Sequence, residues 1–167
     1  MDPKYGYVSA MRKYATFSGR SPRREYWLFL LVYVILAIVA SGIDQFVLGF
    51  GAEQTGPASG VVTLAHLLPS LAVTVRRLHD IGRTGWWVAL PFAIFAGVGV
   101  LGAAGMEFLG DGTGPGAFGA FGIVFVIATL VAFVLSIVLL VFTLLRSEDG
   151  PNRYGPHPYG QVDADVF

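Results

Sequence analysis

The sequence predicts an all-α membrane protein: four transmembrane helices with both termini cytoplasmic, preceded by a short N-terminal interfacial helix. Three observations carry this prediction. Of 167 residues, 54% are hydrophobic and only 13% charged, where a soluble domain of this size carries about a quarter; the mean hydropathy is +0.65. The apolar residues gather into four long uncharged stretches. Every Lys and Arg lies in only some of the segments that flank those stretches.

The first element is amphipathic. Tyr7, Val8, Met11, Tyr14 and Ala15 recur at helical spacing, with Ser9, Arg12, Lys13 and Thr16 on the other side. This pattern suits a short helix lying on the inner leaflet, its cations toward anionic lipid headgroups. Ser21-Pro22 then reads as a helix start, a hydroxyl at the N-cap followed by a proline at the first helical position. The first span follows over 26–47, with Trp27 at interface depth. A leader of this length before an apolar stretch of full membrane length does not fit a cleaved signal peptide.

About 20 apolar residues at 1.5 Å each cross a hydrocarbon core of roughly 30 Å, so 86–105 and 117–145 read directly as spans. The stretch 58–77 is weaker, because its strictly apolar part is 61–75 and it contains His66 and Pro69. Arg76 and Arg77, which can snorkel from its end, and the distribution of cations argue that it crosses. Six cations precede the first span, three (Arg76, Arg77, Arg83) lie between the second and third, and two follow the fourth. Loops 48–60 and 106–116 contain none. Cytoplasmic loops carry the Lys and Arg, and four crossings place all of them inside; three crossings would strand three arginines outside. The chain reads as one membrane domain, with 146–167 as a cytoplasmic tail. Stripes of small residues, Ala89, Ala93 and Gly97 in the third span and Ala128, Ala132 and Ser136 in the fourth, suit close helix packing.

With no cysteine, disulfide frameworks and thiol chemistry are excluded. Lys+Arg and Asp+Glu number 11 each, so nothing in the balance points to nucleic acid. No phosphate-binding loop, zinc-protease helix, nucleophile elbow or calcium loop occurs, and no metal or cofactor is expected. The partners implied are the bilayer and its anionic headgroups, with a membrane-protein partner or a second copy of the chain as further possibilities.

Three polar clusters lie at inner helix ends. The first, FSGRSPRREYW at 17–27, holds Arg20, Arg24, Glu25 and Trp27. The second, RRLHDIGRTGWW at 76–87, holds Arg76, Arg77, His79, Asp80, Arg83, Trp86 and Trp87. The third, DGPNRYGPHPYG at 149–160, holds Asn152, Arg153 and Tyr154. If the second span runs helically to Ile81 with Gly82 as its cap, Asp80 lies four residues from Arg76 and three from Arg77, within reach of an ion pair. His79 beside Asp80 could serve acid–base work; the competing reading is a hydrogen-bonded knot that ties helix ends together. His66 and Asp44 are ionisable groups at or near membrane depth and count as functional candidates. Asp44, near the outer end of the first span, could instead simply reach water, and His66 could bond a Ser or Thr on a neighbouring helix.

At these clusters the sequence resembles the bacterial inner-membrane proteins catalogued as domain of unknown function 805. The matching pieces are YATFSGRSPRREYW at 14–27, RRLHDIGRTGWW at 76–87 and GPNRYGPHPYG at 150–160. The resemblance implies a small polytopic protein of the bacterial cytoplasmic membrane and supplies no activity, since the family is named for lacking one. It also implies that the three clusters belong to one site or one fold-stabilising knot.

The sequence therefore supports a non-enzymatic scaffold, accessory subunit or small-ligand or lipid binder with its polar clusters converging on the inner face. The rival is a solute or proton-coupled transporter, or a membrane enzyme, using His79–Asp80 or His66.

Overall fold

The computed structural model describes residues 6–51, 54–109 and 115–160. Lys4, Glu53, Asp111 and the end of the tail, which the charge pattern above includes, lie outside these residues. Five α-helices follow in order: α1 (Tyr7–Arg12), α2 (Arg23–Gly42), α3 (Pro57–Asp80), α4 (Trp86–Leu109) and α5 (Pro115–Leu144). A π-helical turn, Ile43–Val47, extends α2. Four segments are long and apolar enough to cross a membrane: Arg23–Val47, Pro57–Asp80, Trp86–Gly105 and Gly122–Leu144. Their outward faces are apolar, as lipid requires of a spanning helix.

The chain divides into two compact units, Met1–Gly85 with Thr143–Phe167, and Trp86–Phe142. In the second unit, α4 and α5 run antiparallel. Trp87 meets Phe142 edge-on with centroids 5.2 Å apart, and further along a side chain at Gly102 would touch the ring of Phe125. Of the small-residue stripes, Ala132 is buried and Ala128 half-buried, whereas Ser136, Ala89, Ala93 and Gly97 are exposed. Val88, Pro91 and Val98 of α4 are buried instead.

In the first unit, α1 packs against α2 and α3. Ala10, Phe29 and Val73 form its buried core, with Tyr7, Met11 and Tyr26 against them. The interfacial helix thus buries its apolar face on protein: Tyr7, Ala10 and Met11 turn inward, while Val8 and Tyr14 stay exposed. It also descends along α3. Its end meets Arg76, which donates to the carbonyl of Lys13 at 3.1 Å, and its start meets His66, where the Tyr7 hydroxyl lies 2.9 Å from Nε2. Ten residues of helix, about 15 Å, separate those two contacts on α3.

Each helix end has its own solution. The α2 start corrects the expected cap: Pro22, with extended backbone, takes the N-cap position itself. Ser21 turns its hydroxyl to Glu25 at 3.1 Å and its N–H to the Arg76 carbonyl at 3.0 Å. At the other end of α2, Asp44 is 2% exposed and reaches across to cap α3. Its carboxylate accepts the backbone N–H groups of Ala58 and Ser59 at 2.9 and 2.8 Å. These are among the orphan donors of the first turn, and an anion there also meets the positive end of the helix dipole. Gly56 is the residue that admits this carboxylate, since a Cβ there would overlap the Asp44 side chain. Asp44 therefore turns inward and does not reach water. α3 ends on Gly82 in the left-handed region at φ 70, where the Gly82 and Arg83 amides donate to the carbonyls of His79 and Leu78. This is the Schellman pattern that the glycine predicts.

Candidate functional site

Asp80, the last residue of α3, is fully buried and stands at the centre of the polar cluster. Arg20 donates from Nε to Oδ1 at 3.0 Å. Arg77, one helical turn earlier, donates to Oδ2, which also accepts the Ser147 hydroxyl. The backbone carbonyl of Asp80 accepts from Arg20 at 3.2 Å and from the Glu148 amide at 2.9 Å. Residues from the N-terminal segment, α3 and the tail thus meet on one aspartate.

Two buried guanidinium groups around one carboxylate leave an excess positive charge, and burying a charge is costly unless it is paired and hydrogen-bonded. The helix ends supply the compensation. Arg77 donates to the carbonyls of Thr143 and Leu145 at the end of α5. Arg20 donates to those of Glu148 and Gly150 in the tail, at 2.6 and 2.7 Å. The last carbonyls of α3 and α5 have no partner within their own helices and carry the negative end of the dipole, so cations belong there. Arg23 adds a bond to the Leu145 carbonyl at 2.5 Å.

Arg76 faces the other way, toward Glu25. Their closest approach is 3.8 Å, and Glu25 also accepts the hydroxyls of Ser9 and Ser21 and lies 3.7 Å from Lys13. Arg76 spends Nη1 on the carbonyls of Lys13 and Thr16; its Nε and Nη2 find no hydrogen-bond acceptor among the described residues. Of the two possible intrahelical partners for Asp80, the structure therefore pairs Arg77 and sends Arg76 to Glu25.

His79 does not turn to its neighbour Asp80. Its Nδ1 is 3.2 Å from the Gly19 carbonyl, so that nitrogen carries the proton, and its ring stacks on Tyr154 at 3.8 Å with only 4° between planes. Arg153 covers the far region of Tyr154 with its guanidinium 4.8 Å from the ring centroid and donates to the Gly82 carbonyl. Asn152 closes a tight turn with Gly155, accepts the Tyr154 amide at its side-chain oxygen, and donates to the His79 carbonyl at 2.9 Å and to Glu148 at 2.8 Å. The third cluster is thus folded onto the end of the second.

The remaining candidates stand apart. Arg24 is half-buried and Arg83 exposed, and Trp27 meets Tyr26 edge-on. Trp86 is 78% exposed; it and Trp87 belong to the second unit. His66 sits in a box of aromatic rings, with Tyr33, Tyr7 and Phe29 at 5.0, 5.9 and 6.0 Å. Its Nδ1 donates to the Val62 carbonyl at 2.8 Å, which leaves Nε2 to accept from the Tyr7 hydroxyl in the neutral imidazole. The partner is a phenol of α1 and not the aliphatic hydroxyl expected. No group of three or more His, Asp or Glu side chains placed to hold a metal occurs among the described residues.

The sequence did not point to Ser9, Ser147 or Glu148. Glu148 and Ser147 adjoin the third cluster and could have been included on that ground. The carbonyls that hold Arg20 and Arg77 have no signal in residue type at all.

Comparison with known proteins gives a consistent grouping. The family model described as a protein of unknown function (DUF805) matches residues 14–156. Inner membrane protein YhaI of Escherichia coli K12 is 41% identical over 91% of this chain and 93% of its own length. Inner membrane protein YhaH of the same organism is 28% identical over 91% and 94%. The uncharacterized protein YiiR is 29% identical over 84% of each chain. No solved structure matches.

Proposed function

The chain belongs to DUF805, a family of proteins of unknown function, and from that premise we propose that it is a non-enzymatic scaffold of the bacterial inner membrane. Both termini are cytoplasmic, as the confinement of its cations to alternate connections implies. Its relatives bear the name of inner membrane proteins, and its length and four candidate spans are those of a multi-pass protein.

One observation carries the reading: Asp80 is fully buried, and both its carboxylate oxygens and its carbonyl accept from Arg20, Arg77, Ser147 and Glu148. A general acid or base needs a lone pair or proton directed at a substrate, and this carboxylate has spent both oxygens internally. Asp80 works as a clasp. It fastens the tail to the ends of the helices, so that residues 147–160 present a folded surface to the cytosol in place of a loose end.

The test replaces Asp80 and His79 separately by Ala. Removing one partner of a buried ion pair leaves the others uncompensated, a loss of about 3–5 kcal/mol. Asp80→Ala is therefore expected to lower the melting temperature of the purified protein sharply and to open the tail to protease. His79→Ala, which loses one ring stack and one bond, is expected to melt closer to wild type. Wild-type melting and protease resistance in Asp80→Ala would refute the clasp. A well-folded His79→Ala that loses a cellular phenotype would favour the acid–base reading instead.

A further inference from the structure

The clasp leaves a cavity of about 290 Å³ beside it, lined by Arg23, Arg146, Ser147, Asp149, His157 and Tyr159. We infer that this cavity binds the phosphate group of an anionic lipid headgroup.

Its position suits that ligand. Arg23 is the first residue of α2, and Arg146 to Asp149 follow directly on α5, so the cavity lies where one apolar span begins and another ends. This is headgroup depth. A volume near the lower end of small-molecule sites has room for a phosphate and its polar substituent; acyl chains would stay outside, along the exposed side chains of Leu144 and Leu145.

Its chemistry suits the ligand as well. Arg20, Arg76 and Arg77 are buried away from this surface, and Arg20 and Arg77 are turned to internal carboxylates and carbonyls. Arg23 and Arg146 are differently placed. Arg23 commits Nε to the Leu145 carbonyl, which orients the guanidinium while its Nη groups stay available to an oxyanion. Among the described residues Arg146 is held only by Asp149, at 3.6 Å, with the two side chains 85% and 84% exposed. So exposed a pair holds weakly, and a phosphate that accepts two parallel N–H groups is the stronger acceptor. Asp149 is then a competitor inside the site: it repels the phosphate and occupies Arg146 until displaced. The rings of His157 and Tyr159, with centroids 5.9 Å apart, complete the wall.

The inference rests on the clasped tail, which carries five of the six lining residues, and the experiment separates the two. The full chain in detergent is melted against dioctanoyl phosphatidylglycerol, dioctanoyl phosphatidylcholine and inorganic phosphate. A ligand that binds only the folded protein raises the melting temperature in a saturable way. Phosphatidylglycerol is expected to do so. Arg146→Gln, whose unliganded melting should match wild type, is expected to weaken the apparent affinity about tenfold, and Asp149→Asn to strengthen it about threefold. Inorganic phosphate giving the same response with the same variant pattern would support the phosphate site with a free anion as its source. An equal response to phosphatidylcholine, no saturable response to phosphatidylglycerol or phosphate, or a response that neither variant alters would overturn the inference. If Asp80→Ala melts as wild type while Arg146→Gln still weakens binding, the clasp fails and the phosphate site stands.

Discussion

Gly56 and Asp44 show how one missing methyl group can set a helix start. Asp44 projects from the π-helical turn onto the first turn of α3, and the space its carboxylate occupies is the space a side chain at 56 would need. Gly56→Ala is expected to force the carboxylate away from the Ala58 and Ser59 amides and to cost about 1–3 kcal/mol, the range for overpacking a tight site. Asp44→Ala should cost about 1–2 kcal/mol through loss of the cap. Because both changes break the same contact, the double variant is expected to lose less than their sum; thermal melts of the three proteins check this. The sequence marked Asp44 as notable by charge and depth. It held no sign that the aspartate would cap a helix beginning 13 residues later, since that contact depends on how α2 and α3 meet.

At the scale of elements, α1 is the least expected part of the fold. Its amphipathic pattern was legible, but the pattern alone does not distinguish lipid from protein as the surface that receives the apolar face. Tyr7 decides it here, by finding the one imidazole nitrogen of His66 that the Val62 carbonyl leaves as an acceptor. Tyr7→Phe keeps the ring contacts and removes the hydroxyl, so Nε2 loses its donor in a buried setting. A loss of about 1–3 kcal/mol is expected, with faster hydrogen exchange in residues 7–12 and little change in α4. Exchange in α1 as slow as in wild type would show that ring packing alone holds the helix. Three of the four membrane-length helices, by contrast, were plain in the sequence, because length and apolar composition are sums over many residues and tolerate local error; α3, the least apolar, had to be argued from the distribution of cations. The Schellman ending at Gly82 was also legible, for it needs only one residue that enters the left-handed region freely. The choice of Arg77 over Arg76 for Asp80 was not, since both spacings are permitted on a helix and the decision belongs to Glu25 on α2.

At the scale of the whole molecule, the charge pattern yields a topology that can be measured. Tags on both ends are expected to resist protease in sealed, right-side-out vesicles and to become accessible when the membrane is opened. Access to either tag in intact vesicles would refute the cytoplasmic placement of that end. The three polar clusters were separate in the sequence, with about 50 and 60 residues between them; their shared order around inner helix ends suggested convergence. The atoms that accomplish it, carbonyls of Thr143, Leu145, Glu148 and Gly150, are common to every residue type and could not have been read in advance. Arg20→Lys keeps the charge but offers a point donor in place of a planar fork. It is expected to lose much of the clasp, lowering the melting temperature by several degrees and exposing the tail to protease.

The first unit is discontinuous: its two parts, Met1–Gly85 and Thr143–Phe167, flank the whole of the second. During synthesis, Arg20 and Arg77 emerge long before the carbonyls that neutralise them. Asp80 emerges three residues after Arg77 and balances one of the two cations; the excess charge lacks its carbonyl acceptors until translation is almost complete, and a message cut short after Phe142 would leave it so. A chain truncated there cannot close around Asp80, because the Ser147 hydroxyl, the Glu148 amide and the carbonyls beyond Phe142 that receive both guanidinium groups are all missing.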